Sequence, residues 1–206
     1  MRKTNRLITN RLILCLLVAG GLGACAGLDI RPVTKPMAPA PVPQYKVGDK
    51  FVFKVAIVED RQEVVAVDEK TVTIESRVFG TLTQYKDFGT PETWTGGITQ
   101  AYSTTPDKIM SGLFPLKVGN RVTGTGSFTY NSTGTYERTC MVEDQVRVTV
   151  PAGEFDTFQI RCEMYYTYPS GTSLESDRIW YSPEINHWVA IIRHGRAFYL
   201  LSYEKK

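Results

Sequence analysis

The sequence predicts an antiparallel all-β domain, a meander forming a barrel or sandwich with at most one short helix, and three observations predict it. From Phe158 onward, Phe158, Ile160, Cys162, Met164, Tyr166 and Tyr168 share one parity, while Thr157, Gln159, Arg161, Glu163 and Thr167 take the other, as on a long strand with one dry face. Just upstream, Val146, Val148 and Val150 alternate with Arg147 and Thr149, and Pro151-Ala152-Gly153-Glu154 breaks the run, so the two segments read as a hairpin. Finally, only Thr105-Pro106-Asp107-Lys108 has helix-start chemistry, a capping threonine before a first-turn proline, feeding a short helix through Ile109, Met110 and Leu113 before Pro115.

In chain order, residues 1–24 read as a removable leader. Arg2, Lys3, Arg6 and Arg11 form a basic start, and the apolar run from Leu12 to Leu22 is too short to span a bilayer but suits a signal-peptide core. Leu22-Gly23-Ala24-Cys25 resembles the lipobox of bacterial lipoproteins. That resemblance implies a diacylglyceryl group on the Cys25 thiol, cleavage just before it and acylation of the new amino terminus. The competing reading is an ordinary secretory signal cut at Ala24, which leaves Cys25 a free thiol. Two or three acyl chains, at about 0.8 kcal/mol per buried methylene, hold a protein on its membrane far more firmly than one. The resemblance also implies outer-membrane residence, because Ala26 stands where an aspartate retains lipoproteins in the inner membrane; of the two sides, periplasm and cell surface, the periplasm is the one expected.

Residues 25–43 are expected to be an acylated start followed by a spacer. Pro32, Pro36, Pro39, Pro41 and Pro43 lie among small residues without apolar periodicity. In extended polyproline geometry, at about 3.1 Å per residue, the thirteen positions from Arg31 to Pro43 could hold the domain up to roughly 40 Å from its anchor; a random flexible linker differs only in stiffness. Residues 44–206 then form one β domain with further strand candidates at 51–58, 63–67, 71–79, 121–130, 134–142, 178–181, 188–193 and 197–203. Lys46-Val47-Gly48-Asp49-Lys50-Phe51 and Lys117-Val118-Gly119-Asn120-Arg121-Val122 share a strand-entry pattern. They fit two related halves, although turns before strands favour Gly and Asp/Asn in any case.

Charge and cysteines narrow the class. The leader removes four of the 24 Lys and Arg and none of the 21 Asp and Glu, leaving a nearly neutral chain with no basic cluster for nucleic acid. Lys205 and Lys206 read as a solvated tail. Cys15 goes with the leader and Cys25 is the lipidation site, so Cys140 and Cys162 remain as one disulfide, the usual state of a leftover pair in an exported protein. Metal-binding thiolates are the alternative, but they need further ligands, and no histidine lies between the two cysteines. Cys140 and Val142 share parity with the valines of the hairpin, which puts both cysteines on the core side of one sheet. Pairing about the Ala152-Gly153 bond would set Cys140 opposite Tyr165, so the bridge requires a bulge or a wider loop.

Catalytic chemistry is sparse, and neither a cofactor nor a metal is expected. His187 and His194 are the two histidines, without a carboxylate at useful local spacing, and no nucleophile elbow or metalloprotease helix motif is present. An envelope hydrolase would need one of them within reach of a serine and a carboxylate in a cleft. Gly124 and Gly126 lack the following helix of a phosphate loop and read as room for a bulky neighbour or a bend. Asn131-Ser132-Thr133 is a formal glycosylation sequon with little meaning beside a bacterial lipobox. Tyr165, Tyr166, Tyr168, Trp180, Tyr181, Trp188, Phe198, Tyr199 and Tyr203 crowd the end of the chain, either as core or as the lining of a cavity for an apolar or sugar-containing envelope molecule. The stretch from Val148 to Asp156, with Trp180-Tyr181-Ser182-Pro183-Glu184 and Trp188-Val189, resembles a pattern in exported bacterial β-rich proteins of uncharacterised function. It implies an extracytoplasmic β fold and carries over no activity. The expectation is therefore a non-enzymatic lipoprotein, an envelope binding or structural component; the alternatives are a carrier of a lipid or other apolar ligand and, from a third class, the hydrolase. Its expected partners are the lipid bilayer, through acylated Cys25, and an envelope protein or apolar ligand.

Overall fold

The structure, a computed structural model, describes residues 28–86, 93–95, 110–130, 132–193 and 195–206. The expected leader, the lipobox with Cys25, the helix-start residues 105–108, His194 and Asn131 of the sequon lie outside the described residues. The described elements are β1 (Asp29–Pro32), β2 (Lys50–Val55), β3 (Val58–Val67), β4 (Thr71–Ser76), β5 (Gly80–Tyr85), β6 (Thr93–Thr95), a 3-10 turn (Met110–Leu113), β7 (Arg121–Tyr130), β8 (Ser132–Val150), β9 (Gly153–Tyr168), β10 (Gly171–Ser182), β11 (His187–Arg193) and β12 (Arg196–Glu204).

All strands join one antiparallel sheet in the order β1-β8-β9-β10-β11-β12-β2-β3-β4-β5-β6, with β7 sharing the outer edge of β8 with β1. The predicted all-β antiparallel meander is observed. No ladder among the described residues joins the two ends of this order, so the sheet is open rather than a closed barrel. It is nevertheless strongly bent. Val146 and Val148 of β8 share a buried cluster with Val72 and Ile74 of β4, seven strands further along the order. The β8–β9 turn also reaches across to β12, where the Ala152 amide donates to the Leu200 carbonyl at 3.2 Å.

Several strand boundaries differ from the periodicity reading: the candidate at 63–67 begins at Val58, that at 178–181 begins at Gly171, that at 71–79 ends at Ser76, and β1, β5 and β6 lie outside the candidate stretches. The candidate at 51–58 is split by a tight reversal at Ala56 and Ile57, with Val55 opposite Val58 and Ala56 at φ 53. An alanine carries no turn signal, so alternation alone runs through it. The candidate at 134–142 continues through Glu143 to Val150 as one strand, and the bulge at Glu143 corrects the reading from shared parity: Cys140 and Val142 face the second core while Val146, Val148 and Val150 face the main one.

The centre of the sheet buries both faces. On β9, Phe155 and Thr157 lie buried on one parity and Phe158, Ile160 and Cys162 on the other. The unshifted β9–β10 register carries this split onto β10, where Trp180 packs with Phe51, Phe53 and Leu200 while Ile179 and Tyr181 pack with Phe158 and Ile160. The second face needs a cover, and Leu113 at the end of the 3-10 turn and Leu116 just after it provide it together with Met37 and Ala40.

The proline-rich segment is thus no free spacer. β1 pairs with Val146–Thr149 of β8. The Met37 amide donates to Gln145 Oε1 at 2.8 Å, Gln145 Nε2 returns a bond to the Met37 carbonyl at 3.1 Å, and Ala40 and Leu116 exchange backbone bonds at 3.1 and 2.7 Å. Neighbouring apolar surface decided the outcome: a proline-rich strip with few amide donors suits the cover of a sheet face.

The two matching strand-entry motifs adopt one geometry. Gly48 and Gly119 sit at φ 90 and φ 91, where glycine avoids a side-chain clash. Their amides donate to the carbonyls of Val64 and Val142, and the amides of those valines donate to Asp49 and Asn120 carbonyls. Each valine immediately precedes a register shift in its strand. The polar side chain in each turn holds a neighbouring segment. Asn120 Nδ2 donates to the Leu113 and Pro115 carbonyls, and Asp49 accepts from the C-terminal lysines.

Further out along β7 and β8, Tyr136 crosses Gly126. A Cβ on Gly126 would stand 2.4 Å from the Tyr136 ring and hydroxyl, so this glycine makes room for a bulky neighbour. Gly126→Val is expected to destabilise by about 2 kcal/mol through overpacking, and Gly126→Val combined with Tyr136→Ala to recover part of it. Urea midpoints of the four proteins check this; additive losses would refute the contact.

Candidate functional site

Cys140 and Cys162 meet because of one residue. The hairpin closes through a two-residue turn, with Val150 opposite Gly153, and the register holds as far as Asp144 opposite Gln159. Glu143 is then extra, and beyond it Val142 faces Ile160 and Cys140 faces Cys162. Without that bulge Cys140 would oppose Glu163, an exposed position. The two cysteines are bonded, their Cα atoms 4.1 Å apart, and both are buried in the second core. Closing this loop contributes about 3 kcal/mol, chiefly by restricting the unfolded chain. Glu143, turned out of the ladder by the bulge, accepts from Gln159 Nε2 at 2.9 Å; Gln159 Oε1 in turn accepts from the Trp180 indole at 3.0 Å. The bulge therefore satisfies a buried indole as well as aligning the bridge.

A buried polar constellation lies where β2, β10 and β11 meet the chain terminus. Ser182 and His187 are cross-strand partners at the β10–β11 turn, and the His187 ring is packed edge-on against Phe51 at 4.2 Å, Phe53 at 5.6 Å and Tyr45 at 5.7 Å. The Trp188 amide donates to His187 Nδ1 at 2.8 Å, so the neutral ring carries its proton on Nε2. That nitrogen, the Tyr45 hydroxyl and the Ser182 hydroxyl are buried without hydrogen-bond partners. Burial pushes the His187 pKa down to about 3; the nearby Lys205 charge adds to this and Asp49 opposes it. Burial first, then the neighbouring Tyr181 and Asp49, hold the Tyr45 hydroxyl well above its ordinary range.

His187 accordingly makes no hydrogen bond to a serine or carboxylate, and the Asp49 carboxylate nearby is occupied by the Lys46 and Lys206 amides, both at 3.0 Å, and by Lys205. The arrangement holds a neutral imidazole as a packing element. Tyr45 and Asp49 escaped sequence reasoning; the single available signal was Asp49's place in the repeated strand-entry motif.

A proton the folded state cannot accept makes stability fall with acid. Below the unfolded pKa of about 6.5 the unfolded chain binds one more proton at this position, so the His187 contribution is complete above that pH and is lost progressively toward pH 3. Urea unfolding of wild type and His187→Asn at pH 7 and pH 4 is expected to show a smaller acid loss in the variant. Equal losses would place His187 in contact with water.

Two open cavities accompany these features. One, of about 710 Å³, runs over β2, β3, β4 and β12 and is lined by charges of both signs, including Lys50, Arg61, Glu63, Glu75, Arg77 and Glu204. The other, of about 630 Å³, separates the proline-rich segment from Arg147, Asp156 and Pro183. Trp180 is fully buried in the main core, Tyr166 and Phe198 are half-buried, and none of the three lines either cavity. Among the described residues no group of three or more acidic, histidine or cysteine side chains could hold a metal ion.

No protein-family model matches the chain, and no curated protein matches it. Among solved structures it is similar to the hypothetical lipoprotein YmcC from Escherichia coli (K12), with a TM-score of 0.54 at 10% identity over 83% of this chain and 90% of that one. A protein of Parabacteroides distasonis ATCC 8503 whose name calls it a lipoprotein aligns at TM-score 0.47, 11% identity, over 82% of this chain and 100% of the other. A protein of Bacteroides fragilis NCTC 9343 whose name gives it a YmcC-like fold aligns at TM-score 0.46, 14% identity, over 81% of this chain and 100% of the other. The chain thus shares the fold of YmcC.

Proposed function

We propose that this chain is a lipoprotein of the bacterial envelope, anchored to the outer membrane through acyl chains on Cys25 and serving, on its periplasmic side, as a non-enzymatic binding or structural component. One observation carries the reading: Leu22-Gly23-Ala24-Cys25 stands immediately ahead of a β domain whose fold is shared with a protein named as a lipoprotein. The sealed His187, with its proton-bearing nitrogen unpartnered, and the engaged Asp49 support a role without catalysis. The disulfide supports an oxidising compartment.

Mass spectrometry of the N-terminal peptide from gently purified mature protein tests the anchor. A diacylglyceryl thioether on Cys25 with an acylated amino group is expected. A first residue with a free thiol would refute the proposal.

A further inference from the structure

The docked N-terminal segment fixes how far the domain can stand from its anchor. Leu28 already packs against the main core and β1 starts at Asp29. Only Ala26 and Gly27 separate Leu28 from Cys25, and the three Cα–Cα steps span at most about 11 Å even when fully extended. Slack cannot be drawn from further along, because β1, Met37 and Ala40 are each bonded to the sheet or its cover.

Direction is fixed as well. β1 runs antiparallel to β8 with Asp29 opposite Thr149, so the chain leaves the domain beside the β8–β9 turn at Pro151 and Ala152. Ile30, 42% exposed, and the exposed Pro151 and Glu154 lie at this end. From here β9 runs from Gly153 to Tyr168, a contour of about 50 Å, to the β9–β10 turn.

We propose that the bilayer surface is a partner of the folded domain: the β8–β9 end, with Ile30, Pro151 and Glu154, rests at headgroup level, and the arm formed by the far halves of β8, β9 and β10 points away from the lipid. This rests on the acylation of Cys25. The seat is imposed by the short leash, and the two arginines beside it are already partnered, Arg31 by Asp29 and Arg147 by Asp156. The exposed cross-strand neighbours Tyr165 and Leu174, 48% and 68% exposed, are thereby presented away from the membrane.

The test uses the mature lipidated protein in zwitterionic phosphatidylcholine vesicles containing nitroxide-headgroup lipid, with a fluorophore on Glu154→Cys or Ser170→Cys. Quenching at 154 is expected to exceed that at 170 by roughly threefold or more, since one site lies near the leash and the other a strand-length away. The ratio should be unchanged between low and high salt. Inserting a Gly/Ser spacer of about twenty residues between Gly27 and Leu28 should keep the protein on the vesicles and bring the ratio toward one. Equal or reversed quenching in protein whose N-terminal peptide is shown to be acylated would overturn the orientation and leave the anchor standing. An unmodified Cys25 in that same peptide would overturn both.

Discussion

Cys25→Ser is expected to give protein that is either soluble or still carries its leader, with no membrane-bound, fully processed form. Serine keeps the size of the side chain but offers no thiol for the diacylglyceryl group. An unmodified chain is then either left uncut or cleaved at Ala24 as an ordinary secreted protein. No helix among the described residues is long and apolar enough to cross a membrane. Losing two or three chains, each methylene worth about 0.8 kcal/mol, therefore turns near-complete membrane association into near-complete release. Cell fractionation combined with intact-mass measurement reads the result; a processed mutant that stays in the membrane fraction would refute the anchor.

Asp49→Ala is expected to destabilise the domain by about 3 kcal/mol, the cost of breaking a buried, hydrogen-bonded charge pair from one side. The carboxylate is fully buried, yet its pKa is held below the ordinary range: burial pushes it up, and the bonds from Lys205, the Lys206 amide and the Lys46 amide outweigh that. A depressed pKa means that the stabilisation is present above the unfolded carboxylate pKa and is lost as pH falls through the folded value. Through these bonds Asp49 fastens the end of β12 to the entry of β2, beside Tyr45 and His187. Asp49→Ala should thus lower the urea midpoint at pH 7, and Lys205→Met should cost much less in the Asp49→Ala background than in wild type. Additive losses would show that the two residues do not act together.

That clasp corrects the reading of Lys205 and Lys206 as a solvated tail, and the correction is instructive. Two terminal lysines carry no periodicity, and the acceptor that orders Lys205 lies 156 positions away in the chain. The same limit applies to the proline-rich segment. Nothing between Met37 and Pro43 says that Leu113, Leu116 and the far face of β9 await a cover. Sequence did reveal that Gly126 makes room, because alternate glycines within a strand point to close packing, but not that Tyr136 is the neighbour. The disulfide was legible from cysteine usage, and its need for a bulge from counting along the hairpin; that Glu143 is the extra residue emerged only from the ladder.

The sequence by itself determined the strand character, the antiparallel meander and the pairing partner of each remaining cysteine, and it carries at Leu22-Gly23-Ala24-Cys25 the string on which the proposed anchor rests. These are local matters: side chains alternate across a pleat whatever lies opposite, and a processing signal is read as a linear string. Only the tertiary structure decided that the sheet stays open, that its centre is dry on both faces, that His187 is sealed against Phe51 and that the chain between residues 28 and 45 lies along the domain. Each of these depends on which surfaces remain uncovered once the strands have paired, and burial of such surface is a non-directional force between segments distant in the chain.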